Sequence, residues 1–342
     1  MELTVSPVEN QKAAGEITSS LNDKTNTAKT SESFHDTASI HNVEEYINMD
    51  FIKKIVRNNG PDTADHHELK AEIERIGKLL ENKAASHEHK KLLDIISPVL
   101  AVHTMQGHAY QKPHGYAGDF EIIDKIYTSF KSDDEKYRRW DEFFHAQEAP
   151  CAVRNRKTFF LNVLNYFTQD KGSIRVLNVG SGPGRDMLEY FENNQQSTIH
   201  IDCIENDKKA VEYASRLCKP HLGQISFINA NVFKFRATQK YDVIWSAGLF
   251  DYLNDKRFIF LLKKLYSFLK EDGFLYVGNF SDQNPTRKYM ELFGNWHLFH
   301  RNEQQLRDMA LQAGISRANT KISSEPLGIN LFLEIFKSDL VL

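Results

Sequence analysis

Cysteine is scarce in this sequence of 342 residues. There are three, Cys151, Cys203 and Cys218, and no two of them have the C-x-x-C spacing of a redox or metal site. Their scattered positions favour a reducing compartment.

The sequence also lacks a strong charge imbalance and long apolar runs. The formal net charge is −3, so no overall basic field attracts nucleic acid or an acidic membrane. The first residues never form an apolar run of signal-peptide length, and no later stretch approaches a membrane span. We therefore expect a cytoplasmic protein without an integral membrane segment, whose oligomeric state the sequence leaves open.

Three regions differ in composition. Residues 1–42 are rich in small polar side chains and predict a disordered leader. Residues 43–150 carry apolar stripes of helical period, such as Leu69, Ile73, Ile76 and Leu80, and predict an all-α cap of five or six helices. Residues 151–342 predict a ligand-binding α/β domain.

The α/β domain is organised around a glycine-rich turn. An apolar strand from Ile174 to Val179 runs into Gly180, Gly182 and Gly184, and a helix follows. Such a turn lets a ligand approach the backbone amides closely. A dinucleotide fingerprint would place its third glycine at position 185, whereas the G-x-G-x-G spacing resembles motif I of class I methyltransferases, which bind S-adenosylmethionine (SAM). We expect Gly180, Ser181 and Gly182 to contact this cofactor.

The next strands supply further candidate cofactor residues at their carboxyl ends. A second strand ends at Glu205, where an acidic residue accepts hydrogen bonds from ribose hydroxyls. In the alternative interpretation Glu205 only caps the following helix. Later strands end near Asn231 and Ala247. The predicted cofactor residues on these segments are Glu205, Asn206, Asn231, Val232 and Ala247.

The carboxyl-terminal part completes a sheet. An amphipathic helix from Phe258 to Leu269 is predicted to stop at Gly273, and a fifth strand covers 274–280. Two last strands, ISRANTKIS and INLFLEIFK, predict a closing hairpin. The predicted fold class is α/β: a Rossmann-like, seven-stranded class I methyltransferase sheet with helices on both faces, preceded by the all-α domain.

One loop of the cap, HAYQKPHGYAGDFEIID, combines tyrosines, histidines and glycines. A cap in front of such a sheet folds over the carboxyl ends of the strands, where ligands lie. We therefore predict that Tyr110, Tyr116 and Asp119 line an acceptor pocket, with Tyr116 and Asp119 as candidate catalytic groups. In the alternative, Asp119 caps a helix from Phe120 and the tyrosines pack between helices.

Segments that follow the fourth and fifth strands lie on the same side. Asp251 is a further candidate base, and Arg287 and Arg301 are candidates for holding an acceptor carboxylate, unless they are surface arginines. The remaining candidates for acceptor binding are Tyr252, Asn279 and Trp296.

A metal site is not expected. His103, His108 and His114 have no spacing of known metal ligands, and no cysteine is near them.

The motifs KPHGYAGDFEIID, AVRNR, VGSGPGRD, SAGLFDYL and GNFSDQNPTRKYMELFGNWHLFHR resemble a bacterial group of SAM-dependent methyltransferases known as extracellular factor 3-hydroxypalmitic acid methyl ester biosynthesis proteins. The resemblance runs from about residue 108 to the end. It implies SAM as donor and a small-molecule acceptor, with O-methylation of a carboxylate such as a 3-hydroxy fatty acid. An ionised carboxylate needs no general base.

Two arginines of AVRNR are two residues apart on one helix and cannot share a face. We assign Arg154 to the methionine carboxylate of SAM and leave Arg156 as a surface or structural residue. Two alternatives remain: an O- or N-methyltransferase of a polar or aromatic natural-product precursor, and a non-catalytic SAM-binding regulator. Methyltransferases of nucleic acids or glutamine amides carry an N/D-P-P-Y/F turn after the fourth strand. This chain has SAGLFDY there, which argues against that class.

Overall fold

A computed structural model describes residues 47–81, 86–168 and 173–338. The predicted leader, 1–42, lies outside the described residues. In the described part, seven helices precede the first strand. They are α1 (Met49–Arg57), α2 (His66–Glu81), α3 (Ser86–Ile96), α4 (Met105–Gln111), α5 (Phe120–Tyr127), α6 (Glu135–His145) and α7 (Glu148–Thr168).

The rest of the chain alternates strands and helices. The elements are β1 (Arg175–Val179), α8 (Arg185–Asn193), β2 (His200–Glu205), α9 (Lys208–Leu217), β3 (Ile225–Asn229), β4 (Tyr241–Ser246), α10 (Asp255–Phe268), β5 (Leu269–Phe280), α11 (Arg287–Phe293), α12 (Glu303–Gln312), β6 (Thr320–Ser324) and β7 (Asn330–Phe336).

The strands form one sheet of seven in the order β3-β2-β1-β4-β5-β7-β6. Strands β1–β5 are parallel to one another, while β7 runs antiparallel to both β5 and β6. This is the topology of the class I methyltransferase fold, and it confirms the predicted fold class, including the closing hairpin. The chain adds β2 and β3 on one side of β1 and then β4 and β5 on the other, so the strand order switches between β1 and β4. The ligand crevice of such a sheet lies at this switch point.

Two apolar cores cover the faces of the sheet. Helices α10 and α12 pack on one face through residues such as Leu261 and Leu306, and α7 and α8 pack on the other through residues such as Phe160 and Met187. These helices have apolar stripes of helical period, which bury against the mostly apolar strands.

A third core unites α1–α6 with the segment between β5 and β6. Phe293 of α11 and Trp296 are buried among Ile52, Ile73 and Phe143. The cap is therefore built partly from the carboxyl-terminal half of the chain. Helix α7 crosses the predicted domain boundary at residue 150 and belongs to both layers, so that boundary stays a prediction.

The fifth strand begins earlier than predicted. Leu269 pairs with Tyr241, and Gly273 lies within the strand instead of ending a helix. The apolar side chain of Leu269 continues the helical stripe of α10, so periodicity alone places it on the wrong element.

Candidate active site

The glycine turn after β1 has the backbone that its sequence predicts. Gly180, Gly182 and Gly184 have φ values of 67°, 57° and 79°, in the left-handed region that favours glycine. A Cβ at Gly182 would meet nothing within 4 Å, so the turn leaves open space beside its backbone. Ser181 is buried, and Gly184 is the residue before α8. The turn thus offers backbone amides to a ligand at the end of β1.

Glu205 joins the end of β2 to this turn. Its carboxylate accepts hydrogen bonds from the amides of Gly182 at 3.1 Å and Asp207 at 3.0 Å, and burial raises its pKa. Asp207 itself caps α9 by accepting from Lys209. Glu205 is therefore not the cap of α9, and its position beside the turn is where a ribose-binding acid is needed. Asn206 follows it, and its carbonyl accepts from Asn229.

The residues predicted after β3 and β4 differ in exposure. Asn231 is exposed and accepts a hydrogen bond from the amide of Phe233. Val232 is buried with the apolar residues beneath α10, so its side chain contributes to the core. Ala247 follows β4, and its carbonyl oxygen accepts a 2.7 Å hydrogen bond from Arg156.

The two arginines of α7 have the opposite environments to those predicted. Arg154 donates to the carbonyl of His145 and to the sulfur of Cys151, both close to it in the chain. Arg156 is buried, only 6% exposed, and its guanidinium lies about 3.6 Å from a Cβ placed on Gly248. Because α7 presents Arg156 to the end of β4, Arg156 is the better candidate for a cofactor carboxylate. Of the two descriptions left open for Arg156, its burial excludes a surface residue, and its bond to Ala247 fits a structural one.

The loop of the cap between α4 and α5, residues 112–119, crosses the ends of three strands, and we call it the strap. Tyr116 donates to Asp207, just after β2, at 2.9 Å. The carbonyl of Ala117 accepts from the hydroxyl of Tyr252, after β4, also at 2.9 Å. Because β1 lies between β2 and β4, the strap passes over the end of β1. The cap therefore lies where it was predicted, above the glycine turn.

Tyr252 and Trp296 pack beneath the strap. The indole of Trp296 donates to the Tyr252 hydroxyl at 2.9 Å. A Cβ at Gly118 would approach both side chains to within 2.6 Å or less, so glycine permits this close contact. Two residues predicted for acceptor binding, one after β4 and one after α11, thus form one aromatic wall beneath the strap.

Other predicted acceptor residues of the cap have structural contacts. Asp119 is buried, caps α5 through the amides of Glu121 and Ile122, and pairs with Nε2 of His108 at 3.0 Å. These three partners lie within the cap and hold the carboxylate there, so they do not support a catalytic role for Asp119. Tyr116 donates to Asp207, and burial together with the nearby carboxylates of Asp207 and Glu205 raises the pKa of Tyr116. Tyr110 packs against the core of the cap.

Arg301 and Asn279 are also committed to the fold. Arg301 is 2% exposed and donates to Asn279, to Asp255 and to the carbonyls of Phe250 and Leu253. The amide of Asn279 donates to the carbonyls of Phe280 and Phe299. These contacts fix the segments after β4 and β5 to each other. Since these polar atoms are used internally, the contacts give no support to the prediction that Arg301 and Asn279 bind the acceptor, which stays a prediction.

Arg287 is on α11, half exposed, and pairs with Glu291 at 2.7 Å. This is an i,i+4 surface pair, as in the alternative interpretation.

Asp251 lies in the turn after β4 and is 2% exposed. One carboxylate oxygen accepts from the amide of Phe280 at 2.6 Å, and burial raises its pKa to about 6. Asp186, at the start of α8, is likewise buried with a pKa raised by burial to about 6. Arg156 opposes the rise in both pKa values, so one buried cation lies near two buried acids.

A cluster that sequence reasoning missed links the cap to the sheet. Asp124 of α5 accepts from Nε and a terminal nitrogen of Arg185 at 2.8 and 2.9 Å, and from the Tyr213 hydroxyl at 2.7 Å. Asp124 follows three apolar residues on a short helix, and its burial is not evident from the pattern. The one sequence signal for this cluster is that Arg185 directly follows the glycine turn.

In the described part of the chain, no group of three or more His, Cys, Asp or Glu side chains could hold a metal ion. Nor is any helix there both long and apolar enough to cross a membrane.

A family model described as a methyltransferase domain matches residues 176–273, from β1 into β5. The chain contains a SAM-dependent methyltransferase domain. The match includes the glycine turn, Glu205 and the end of β4, so SAM is the cofactor of this site. Arg156 and the strap lie before the matched residues.

Solved structures resemble the fold at low identity. A possible exported protein from Bordetella parapertussis is 17% identical, with a TM-score of 0.58 over 88% of this chain and 100% of that one. Magnesium protoporphyrin IX methyltransferase from Synechocystis PCC 6803, with bound SAH, is 14% identical, with a TM-score of 0.46 over 63% of this chain and 94% of that one. At these identities the likeness shows the fold alone.

Among curated proteins, the tRNA N(3)-methylcytidine methyltransferase trm140 of Schizosaccharomyces pombe is 20% identical over 159 residues, or 44% of this chain. The match spans about half the length of that relative, 51%.

Proposed function

We propose that the protein is an enzyme that transfers the methyl group of SAM to a small molecule. The observation that carries this proposal is the strap, which covers the glycine turn between Asp207 and Tyr252. A covered crevice excludes water and holds two reactants together, as methyl transfer requires. A long polymer acceptor fits such a covered crevice less well than a small molecule.

The residues present suit SAM. Gly182 leaves room beside the turn, Glu205 is placed for the ribose hydroxyls, and Arg156 is placed for the methionine carboxylate. When bound, SAM supplies a methyl group that its sulfonium makes electrophilic. The protein's part is to orient the acceptor and exclude water, a proximity effect.

O-methylation of a carboxylate, as in a 3-hydroxy fatty acid, is the finer expectation from the resemblance. It needs a cation to hold the acceptor. Of the arginines considered for this role, Arg301 is saturated and Arg287 pairs with Glu291. The contacts therefore support methyl transfer to a small molecule more strongly than they support this acceptor. The cytoplasmic location likewise stays a prediction.

Gly182→Val tests the proposal. A β-branched side chain is strained at a φ of 57° and fills the open side of the turn, so we expect calorimetry to detect no SAM binding. Gly223→Val is the matched control, because a Cβ at Gly223 would also meet nothing within 4 Å, while its φ lies outside the left-handed region. Circular dichroism checks that both variants fold.

The proposal fails if Gly182→Val binds SAM like the wild type, or if the wild type binds none. Tritium-labelled SAM incubated with a small-molecule extract then identifies the fraction that receives the methyl group. SAM binding without any labelled product would instead favour the non-catalytic regulator.

A further inference from the structure

Asp251 is held rigidly at the end of β4. The amide of Phe280 donates to its Oδ1 at 2.6 Å, and its own carbonyl accepts from the amide of Phe299 at 2.8 Å. Phe280 is the last residue of β5, and Phe299 lies in the segment after α11. The first bond therefore fixes the side chain of Asp251, and the second fixes its backbone. Within residues 47–81, 86–168 and 173–338, no hydrogen-bond donor contacts its Oδ2. The carboxylate is buried and keeps one oxygen for another partner.

The charges around Asp251 come from three elements. Arg156 of α7 and Arg301, after α11, favour its ionised form, and the neighbouring Tyr252 has a raised pKa to which Asp251 contributes. Arg301 donates to four acceptors, and Arg156 donates to the carbonyl of Ala247. Burial outweighs the effect of both arginines and raises the pKa of Asp251 to about 6. At neutral pH the carboxylate is therefore ionised, and it is a stronger base than an ordinary aspartate.

The wall beside Asp251 is aromatic, and Tyr252 and Trp296 hydrogen-bond to each other beneath the strap. A carboxylate acceptor placed here would face the like charge of Asp251. Of the two arginines nearby, Arg301 already donates to four acceptors, and we assign Arg156 to the carboxylate of SAM. A hydroxyl or an amine would face a hydrogen-bond acceptor and two aromatic rings.

We propose that the methyl acceptor is a hydroxyl or amine of a small molecule, and that Asp251 is the catalytic residue that removes its proton. This inference rests on the proposed function. A lone pair of the acceptor oxygen or nitrogen forms the new bond to the methyl carbon. The carbon–sulfur bond breaks with its electron pair left on sulfur, and the acceptor's proton moves to Oδ2 of Asp251. Exchange with water then restores the carboxylate.

The chemical stability of the product separates the two acceptor classes. Wild-type protein is incubated with tritium-labelled SAM and a protein-free small-molecule extract, and the product fractions are treated with mild alkali. Methyl esters release volatile labelled methanol, whereas methyl ethers and N-methyl amines retain the label. We expect less than a tenth of the label to become volatile. Release of most of the label overturns the inference while leaving methyl transfer itself intact.

Asp251→Asn tests the residue. Asparagine keeps the shape and still accepts from Phe280, so SAM should bind within twofold of wild type by calorimetry. Loss of the base should lower methyl transfer at pH 7.5 about 100-fold. The matched control is Asp282→Asn, an exposed aspartate after β5, which should leave both quantities unchanged.

Two further measurements separate a base from a structural residue. In wild type, kcat/KM should fall tenfold per pH unit below about 6, and the carboxyl carbon of Asp251 should titrate near pH 6 in NMR spectra of the protein without SAM. An Asp251→Asn variant within threefold of wild-type turnover overturns the inference. Failure of the wild type to bind SAM, or to label any product, contradicts the proposed function itself, and with it this inference.

Discussion

Asp124 joins the cap to the methyltransferase domain through three hydrogen bonds, two to Arg185 and one to Tyr213. In the Asp124→Asn variant the side chain keeps its shape but loses its charge. The guanidinium of Arg185 is then left with a neutral partner, and at least one of its two bonds loses a matching acceptor.

The expected loss of stability follows from the burial of this pair. A hydrogen bond to a charged group contributes roughly 1.5–3 kcal/mol. The Arg185 side chain is 23% exposed and that of Asp124 is 10% exposed, so water recovers part of the loss. We expect Asp124→Asn to lower the free energy of unfolding by about 2 kcal/mol. Tyr213→Phe removes one bond and should cost about 1 kcal/mol.

Urea unfolding of the full chain at pH 7 measures both changes and that of the double variant. The double variant should lose less than the sum, because both changes remove the same bond. Asp308→Asn is the control, since Asp308 forms an exposed pair with Arg317 and should cost less than about 0.5 kcal/mol. If Asp124→Asn costs no more than this control, the cap is not held by Asp124 and the reasoning is refuted.

Three other predictions concern the site. Glu205→Gln should weaken SAM binding by roughly 1.5–3 kcal/mol through the ribose, and an unchanged Kd in calorimetry would contradict that role. Arg156→Gln should raise the Kd for SAM more than tenfold and Arg154→Gln less than twofold; the reverse order in the same titration would restore the original assignment. Burial raises the pKa of Asp186 to about 6, so the stability that its protonated form contributes is complete below about pH 4 and is lost as the pH rises through 6. Asp186→Asn should therefore raise the free energy of unfolding at pH 7.5 by at most about 3 kcal/mol and leave it unchanged at pH 3.5. Thermal unfolding at both pH values measures this, and a variant less stable than wild type at pH 7.5 would contradict it.

Local patterns in the sequence predicted the sheet and its glycine turn. The strand before Gly180 and the closing hairpin depend on short-range alternation and on glycine's conformational freedom, and the structure confirms both. The capping role of Asp119 was also visible as an alternative, because an aspartate in front of an apolar helix is a common cap.

Contacts between distant segments were beyond sequence reasoning. Nothing in AVRNR indicates which arginine meets Ala247, since that depends on how α7 is rotated against the sheet. The aromatic and basic segment around Arg301 suggested a ligand-binding residue. Its guanidinium instead donates to four acceptors in two other segments of the chain. Long side chains of this kind serve the fold or a ligand according to partners that are far away in the chain.

The way in which the strap is held has a consequence for product release. It is fixed on one side by the Tyr116 side chain and on the other by its own backbone at Ala117, with Gly115 and Gly118 in left-handed conformations around these two points. The Tyr116 link is a single hydrogen bond near solvent, whereas the other is supported by Trp296, so the side nearer Glu205 should release first. We expect the cofactor, once it has lost its methyl group, to leave by that side. We also expect its release, and not the methyl-transfer step, to limit the rate of turnover.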